Sequence, residues 1–190
     1  MDNNINLIYG NVIPCESKVS LKSMIENIDF QRIIFDLNDE DIPSKEEVTY
    51  TAMFFIKNFP LKPIYTYRNS DGKLQVIKGN KELLSLYFFY KGIYLEAKNV
   101  DCSMKFKDIF TVTQKHDEFK DIINENYRVI NCSYNVCDTK NNETLSLNFL
   151  DLPAKLQDII NKTSIYLVNV VPSEEEVNNA INLYRDIILT

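Results

Sequence analysis

Ile64-Tyr65-Thr66-Tyr67-Arg68-Asn69-Ser70-Asp71-Gly72-Lys73-Leu74-Gln75-Val76-Ile77-Lys78-Gly79-Asn80 is the stretch that decides the fold class. Two β-rich runs, Ile64 to Tyr67 and Leu74 to Ile77, flank the turn Asn69-Ser70-Asp71-Gly72. That combination predicts a hairpin. Lys78-Gly79-Asn80 follows at once, and the apolar stretch from Lys81 to Lys91 predicts a helix. Gly92 then supplies the left-handed residue that commonly ends one. Strand, turn, strand, glycine turn and helix follow in this order, so both element types occur within about thirty residues.

Upstream, Ser20 to Asn27 reads as a short helix, and Asp29 to Asp36 as an extended segment or loop. Ser44 and Glu47 match a capping box, and Val48, Ala52, Phe55, Ile56 and Phe59 recur at helical spacing. Pro60 and Pro63 end that helix. Downstream, Gln114 to Asn124 reads as helix, and Arg128 to Tyr134 and Thr144 to Phe149 as strands around the polar Asp138 to Glu143 loop. Asp151-Leu152-Pro153 opens a short helix to Asn161, and Ser164 to Val171 is β-rich. A second capping box, Ser173 with Glu176, starts a last helix whose apolar face carries Val177, Ala180, Ile181, Tyr184 and Ile188.

The 190 residues suit one domain, read as spanning residues 1–190. No apolar run approaches a membrane span and the N-terminus lacks the pattern of a signal peptide, so the expected location is cytoplasmic and no membrane partner is expected. A net charge of -6 argues against a phosphate-gripping nucleic-acid binder. The four cysteines form no C-x-x-C pair and His116 is the single histidine, so neither a zinc site nor a Ser/His/Asp triad is expected. Asp36, Asp39, Glu40 and Asp41 lack calcium-loop spacing and read as a solvated loop. Tyr87-Phe88-Phe89-Tyr90 reads as core, with a groove-lining position for Tyr87 or Tyr90 as the alternative.

The order of these features resembles the GmrS-type domains of the ParB/sulfiredoxin-like superfamily. Phe30-Gln31-Arg32 with Phe35-Asp36 is similar to the family's first motif, and Asn58-Phe59-Pro60-Leu61-Lys62-Pro63-Ile64 to its proline segment. Asp71 to Ile77 resembles its hairpin, Phe149-Leu150-Asp151-Leu152-Pro153 a short helix start, and Glu174-Glu175-Glu176-Val177 the opening of its last helix. The resemblance runs from about residue 18 to 188 and is weakest between 95 and 145. It implies a mixed α/β fold, a small mixed sheet flanked by helices, in a single domain that binds a nucleoside triphosphate. In restriction members of the family, DNA cleavage belongs to a separate histidine-containing C-terminal domain. The chain ends at Thr190, and that nuclease domain is expected to be absent.

Set against the family pattern, the phosphate-handling motif is rewritten. Lys78 stands where the family has Asp, Asn80 and Lys81 where it has two Gln, and Glu82 where it has Arg. In the last helix, Arg185 stands where the family has Asn. An arginine makes charge-assisted bonds to phosphate, whereas a glutamate in its place repels the anion. Gly79 keeps a turn at a helix N-terminus, where free N–H groups and the helix dipole favour an anion. The candidate phosphate-binding set is therefore Gln31, Arg32, Lys78, Gly79, Asn80, Lys81 and Arg185, with no catalytic residue and no metal ligand assigned. The lysines equally suit solvated positions at a strand-to-helix turn, and Arg32 a structural pairing with Asp36 or carbonyl groups.

These readings lead to a non-catalytic binding module derived from a nucleotide-binding restriction domain. It is expected to act through a protein partner, with a nucleoside triphosphate or another anion as the candidate ligand. The Asn/Ile/Lys-rich composition suits a phage or mobile-element protein with a defence or anti-defence role. Two alternatives remain open. One is a nucleoside triphosphate hydrolase with Arg32, Lys78 and Lys81 on phosphates and Asp36 on a metal. The other is a DNA-binding module.

Overall fold

The structure, a computed structural model, describes residues 12–35, 41–97, 127–138 and 143–172. The expected helix from Gln114 to Asn124, the expected last helix with Arg185, and also Asp36, Asp39, Glu40, Cys102 and His116 lie outside the described residues. In chain order the described elements are β1 (Val12–Ser20), α1 (Leu21–Asp29), β2 (Ile33–Phe35), α2 (Lys45–Ile56), β3 (Ile64–Arg68), β4 (Leu74–Lys78) and α3 (Asn80–Lys91). There follow β5 (Ile93–Ala97), β6 (Tyr127–Asn131), β7 (Tyr134–Asp138), β8 (Glu143–Leu147), a 3-10 turn (Phe149–Asp151), α4 (Ala154–Lys162) and β9 (Ser164–Pro172). The fold is mixed α/β, as expected.

The central sheet has five strands in the order β1-β9-β3-β4-β2. It alternates in sense: β1 and β9 are antiparallel, β9 and β3 parallel, β3 and β4 antiparallel, and β4 and β2 parallel. β5 pairs with β6 and β7 with β8 in two small antiparallel ladders. Side chains alternate across the central sheet. Ile64, Val76, Ile165 and Leu167 join the main core, whereas Ile77, Val168 and Val170 form a second cluster with Tyr65 and Tyr67.

Local chemistry sets the element ends. Ser20 caps α1 by accepting from the Ser23 N–H at 3.2 Å. The Ser44–Glu47 capping box is present at α2, with the Ser44 N–H donating to Glu47 Oε2 at 2.7 Å. In the hairpin turn, Asn69 Oδ1 accepts from the Asp71 and Lys73 N–H groups, each at 3.0 Å. Gly92 ends α3 at φ 64°, and a Cβ there would meet the Asn148 side chain at 2.5 Å. That close approach brings the 3-10 turn against the end of α3, where Tyr90 stacks on Phe149 with centroids 4.3 Å apart.

α3 is the most deeply buried element, with Leu83, Leu84, Ser85, Leu86, Tyr87, Phe88 and Phe89 all inside. Each large apolar side chain buried in this way contributes roughly 1.5–3 kcal/mol. Phe88 meets Tyr94 edge-on, and Phe89 meets both Tyr134 and Phe149. The Tyr87 hydroxyl donates to Asp29 Oδ1 at 3.0 Å, and Lys91 Nζ reaches Asp29 Oδ2 at 2.6 Å. Burial, and then the Asp29 charge, push the Tyr87 hydroxyl pKa far above its usual range. This polar trio ties the end of α1 to the last turn of α3.

The expected strand from Arg128 to Tyr134 is two strands. The Cys132 N–H donates to the Gly92 carbonyl, and the Tyr134 hydroxyl to the Ile93 carbonyl. These bonds hold the break between the two strands against the start of β5. The expected strand from Thr144 to Phe149 stops at Leu147, because Asn148 caps the 3-10 turn by accepting from the Leu150 N–H at 3.0 Å.

Gly79 joins β4 to α3 at φ 93°, and a Cβ there would lie 2.6 Å from Ile64 Cδ1. Gly79→Ala is therefore expected to cost about 2–3 kcal/mol, from left-handed strain together with overpacking. Urea unfolding measures this cost. The penalty should shrink when Ile64→Val removes the colliding methyl, leaving the backbone part.

Candidate functional site

Gly79 serves as N-cap of α3 without a side-chain cap bond, and its carbonyl accepts the Leu83 N–H at 2.9 Å. Lys78, Asn80 and Lys81 flank it. Lys78 ends β4 opposite Tyr65, beside a bulge in the β3–β4 register. Asn80 is 7% exposed, and its side-chain oxygen has no hydrogen-bond partner. Lys81 Nζ lies 2.9 Å from Glu47 Oε1, across from the capped end of α2. The ammonium that sequence reading assigned to phosphate therefore pairs with a carboxylate of the same fold.

Gln31 and Arg32 sit elsewhere. Gln31 takes a positive φ of 54° just past α1. The Arg32 guanidinium lies over the Phe30 ring at 5.3 Å, and its carbonyl accepts the Leu74 N–H at 2.8 Å. β2 runs parallel to β4 with Ile33 opposite Leu74. Arg32 is thus at the start of β4, and Lys78 is at its end. Leu74 and Lys78 are four residue steps apart, roughly 13 Å along the strand. The structure brings Lys78, Gly79, Asn80 and Lys81 together and leaves Gln31 and Arg32 at the opposite end of β4. Arg185 lies outside the described residues.

Glu47 is held below the ordinary carboxylate value of 4.5, first by the Ser44 backbone N–H and then by Lys81. Its folded pKa is the lower one, so its contribution is present above the unfolded value and is lost as pH falls through the folded value. Among the described residues, no group of three or more His, Cys, Asp or Glu side chains could hold a metal ion. No described helix is long and apolar enough to cross a membrane.

Sequence reading missed the outward side of α2. Val48, Ala52 and Phe55 face the core as the helical spacing predicts. Tyr50, however, is 57% exposed, and Phe59, expected on the same apolar face, is 53% exposed beyond the helix end. Tyr50, Phe54 and Phe59 form a ladder with centroid spacings of 4.5 and 5.2 Å. A groove of about 420 Å³ runs along α2 beside Tyr50 and Met53, toward Ser133 and Asn135. A second, of about 330 Å³, lies under Phe59, Pro60 and Leu61 beside Tyr166. The signal was available, since α2 carries Tyr50, Met53 and Phe54 in addition to its core-facing residues.

Compared with known proteins, the chain matches no family model, no curated protein and no solved structure.

Lys81→Met is expected to cost less than about 1 kcal/mol at neutral pH, because the Lys81–Glu47 pair is half exposed. The difference from the parent chain should fade as pH drops below about 4.5 and Glu47 is protonated. Urea unfolding from pH 7 to pH 3 measures both.

Proposed function

We propose that the chain is a non-catalytic binding module that acts through a protein partner docked on the outward face of α2. The observation that carries this reading is the aromatic ladder of Tyr50, Phe54 and Phe59, flanked by grooves on the outward side of α2. Aromatic side chains of this kind dominate binding energy at protein interfaces. The separation of Arg32 from Lys78 along β4 and the Lys81–Glu47 pair weigh against nucleotide turnover. The resemblance to GmrS-type domains supports descent from a restriction-system domain. A module that keeps such a domain's partner surface without its chemistry would suit a defence or anti-defence role in a phage or mobile element.

Residual anion binding is a second reading, and the left-handed Gly79 at the start of α3 favours it. It is compatible with the first, because the Gly79 turn and the aromatic ladder use different residues.

A Tyr50→Ser, Phe59→Ser double variant should keep its thermal midpoint, since both rings are largely exposed. Its affinity for a partner identified by capture and then purified should fall at least tenfold, or about 1.4 kcal/mol. An unchanged Kd overturns docking on this face. With millimolar nucleoside triphosphates no turnover is expected. Turnover abolished by Arg32→Ala would overturn the non-catalytic reading.

A further inference from the structure

The groove between α2 and α3 shares Tyr50 with the aromatic ladder and adds carboxylates and a hydroxyl to it. It encloses about 410 Å³, with Glu46, Glu47 and Tyr50 on the α2 wall and Lys81, Glu82 and Ser85 on the α3 wall. Glu47 is fully engaged, one oxygen by Lys81 and the other by the Ser44 N–H. That pairing also uses the Lys81 charge. Glu46 and Glu82 remain, one on each wall, and neither has a hydrogen-bond or ion-pair partner among the described residues.

A separate observation concerns Ser85. It lines the groove, is 1% exposed, and its hydroxyl has no hydrogen-bond partner. A buried hydroxyl without a partner is costly in the free protein, and a ligand donor is one way to satisfy it. Among the described residues no group of three or more His, Cys, Asp or Glu side chains could hold a metal ion, and the groove is not read as a metal site. An extended cation with several donors fits better. A guanidinium has five N–H donors in one plane, can pair with more than one carboxylate, and stacks on an aromatic face such as that of the exposed Tyr50. An ammonium is a compact point charge and spans the two walls less well.

We infer that this groove receives an arginine side chain of the protein partner, its guanidinium set between Glu46 and Glu82 against the Tyr50 ring. The inference rests on the reading of the chain as a protein-binding module and names the partner's chemistry at that surface.

The test uses N-acetyl-arginine methylamide as the probe, followed by two-dimensional NMR on the full chain. The neutral citrulline analogue and the lysine analogue serve as controls. Saturable shifts should centre on Glu46, Tyr50, Glu82 and Ser85, with arginine at least tenfold tighter than citrulline and several-fold tighter than lysine. The Kd should weaken as salt rises. Glu46→Gln with Glu82→Gln should abolish saturation while the variant's NMR spectrum stays that of a folded chain, and Ser85→Ala should weaken binding a few-fold. Equal shifts from arginine and citrulline, or unchanged arginine binding in the double glutamine variant, overturn the assignment. Silence from the probe while partner binding still depends on Phe59 overturns the groove alone and leaves docking on α2 standing. Saturable binding that the glutamine variant loses upholds the groove even if partner binding proves independent of Phe59.

Discussion

The burial of α3 is the constraint on which the rest of the structure depends. A helix that hides Leu83 through Phe89 in one continuous run has no face to give to water. It needs walls on every side, and the chain supplies them. α2 packs along it, β5 and the start of β7 close its end through Tyr94 and Tyr134, and the 3-10 turn brings Phe149 against Phe89 and Tyr90. The Asp29 carboxylate gathers the polar groups that must accompany the helix inward, Tyr87 and Lys91. A buried donor left without an acceptor would cost more than the bond itself gains.

The same constraint places the candidate surfaces. Gly79 lets α3 begin directly against Ile64, and so sets the first turn of α3 beside the first turn of α2. Both turns carry glutamates, which complement the positive ends of the helix dipoles. Lys81 answers one of them, Glu47, and the remaining carboxylates give the groove its negative character. An anionic rim suits a basic side chain. With its inner face committed to α3, α2 turns Tyr50 and Met53 outward. The aromatic ladder therefore follows from the way the core is closed.

Much of the fold was legible because its signals are local. Asn69 in the hairpin turn, Ser44 with Glu47 at the start of α2, and Gly92 after α3 each act within a few residues of themselves. The failures have non-local causes. The run from Arg128 to Tyr134 looks like one strand by composition, yet it breaks where Cys132 and Tyr134 bond to carbonyl groups about forty residues earlier. Phe59 has helical spacing from Phe55, but Asn58 at φ 58° turns the chain and leaves the ring exposed.

By itself the sequence determined the mixed α/β class, the hairpin, the Gly79 turn and the helix caps, since hydrophobic period and backbone permissiveness belong to neighbouring residues. It also named Lys78 to Lys81 as one cluster, because they are consecutive. Only the tertiary structure decided what those residues face. Strand register put Arg32 at the far end of β4, and the packing of α2 on α3 gave Lys81 to Glu47. Register and interhelical packing depend on partners distant in the chain, and residue spacing carries no record of where a charge will find its counter-charge.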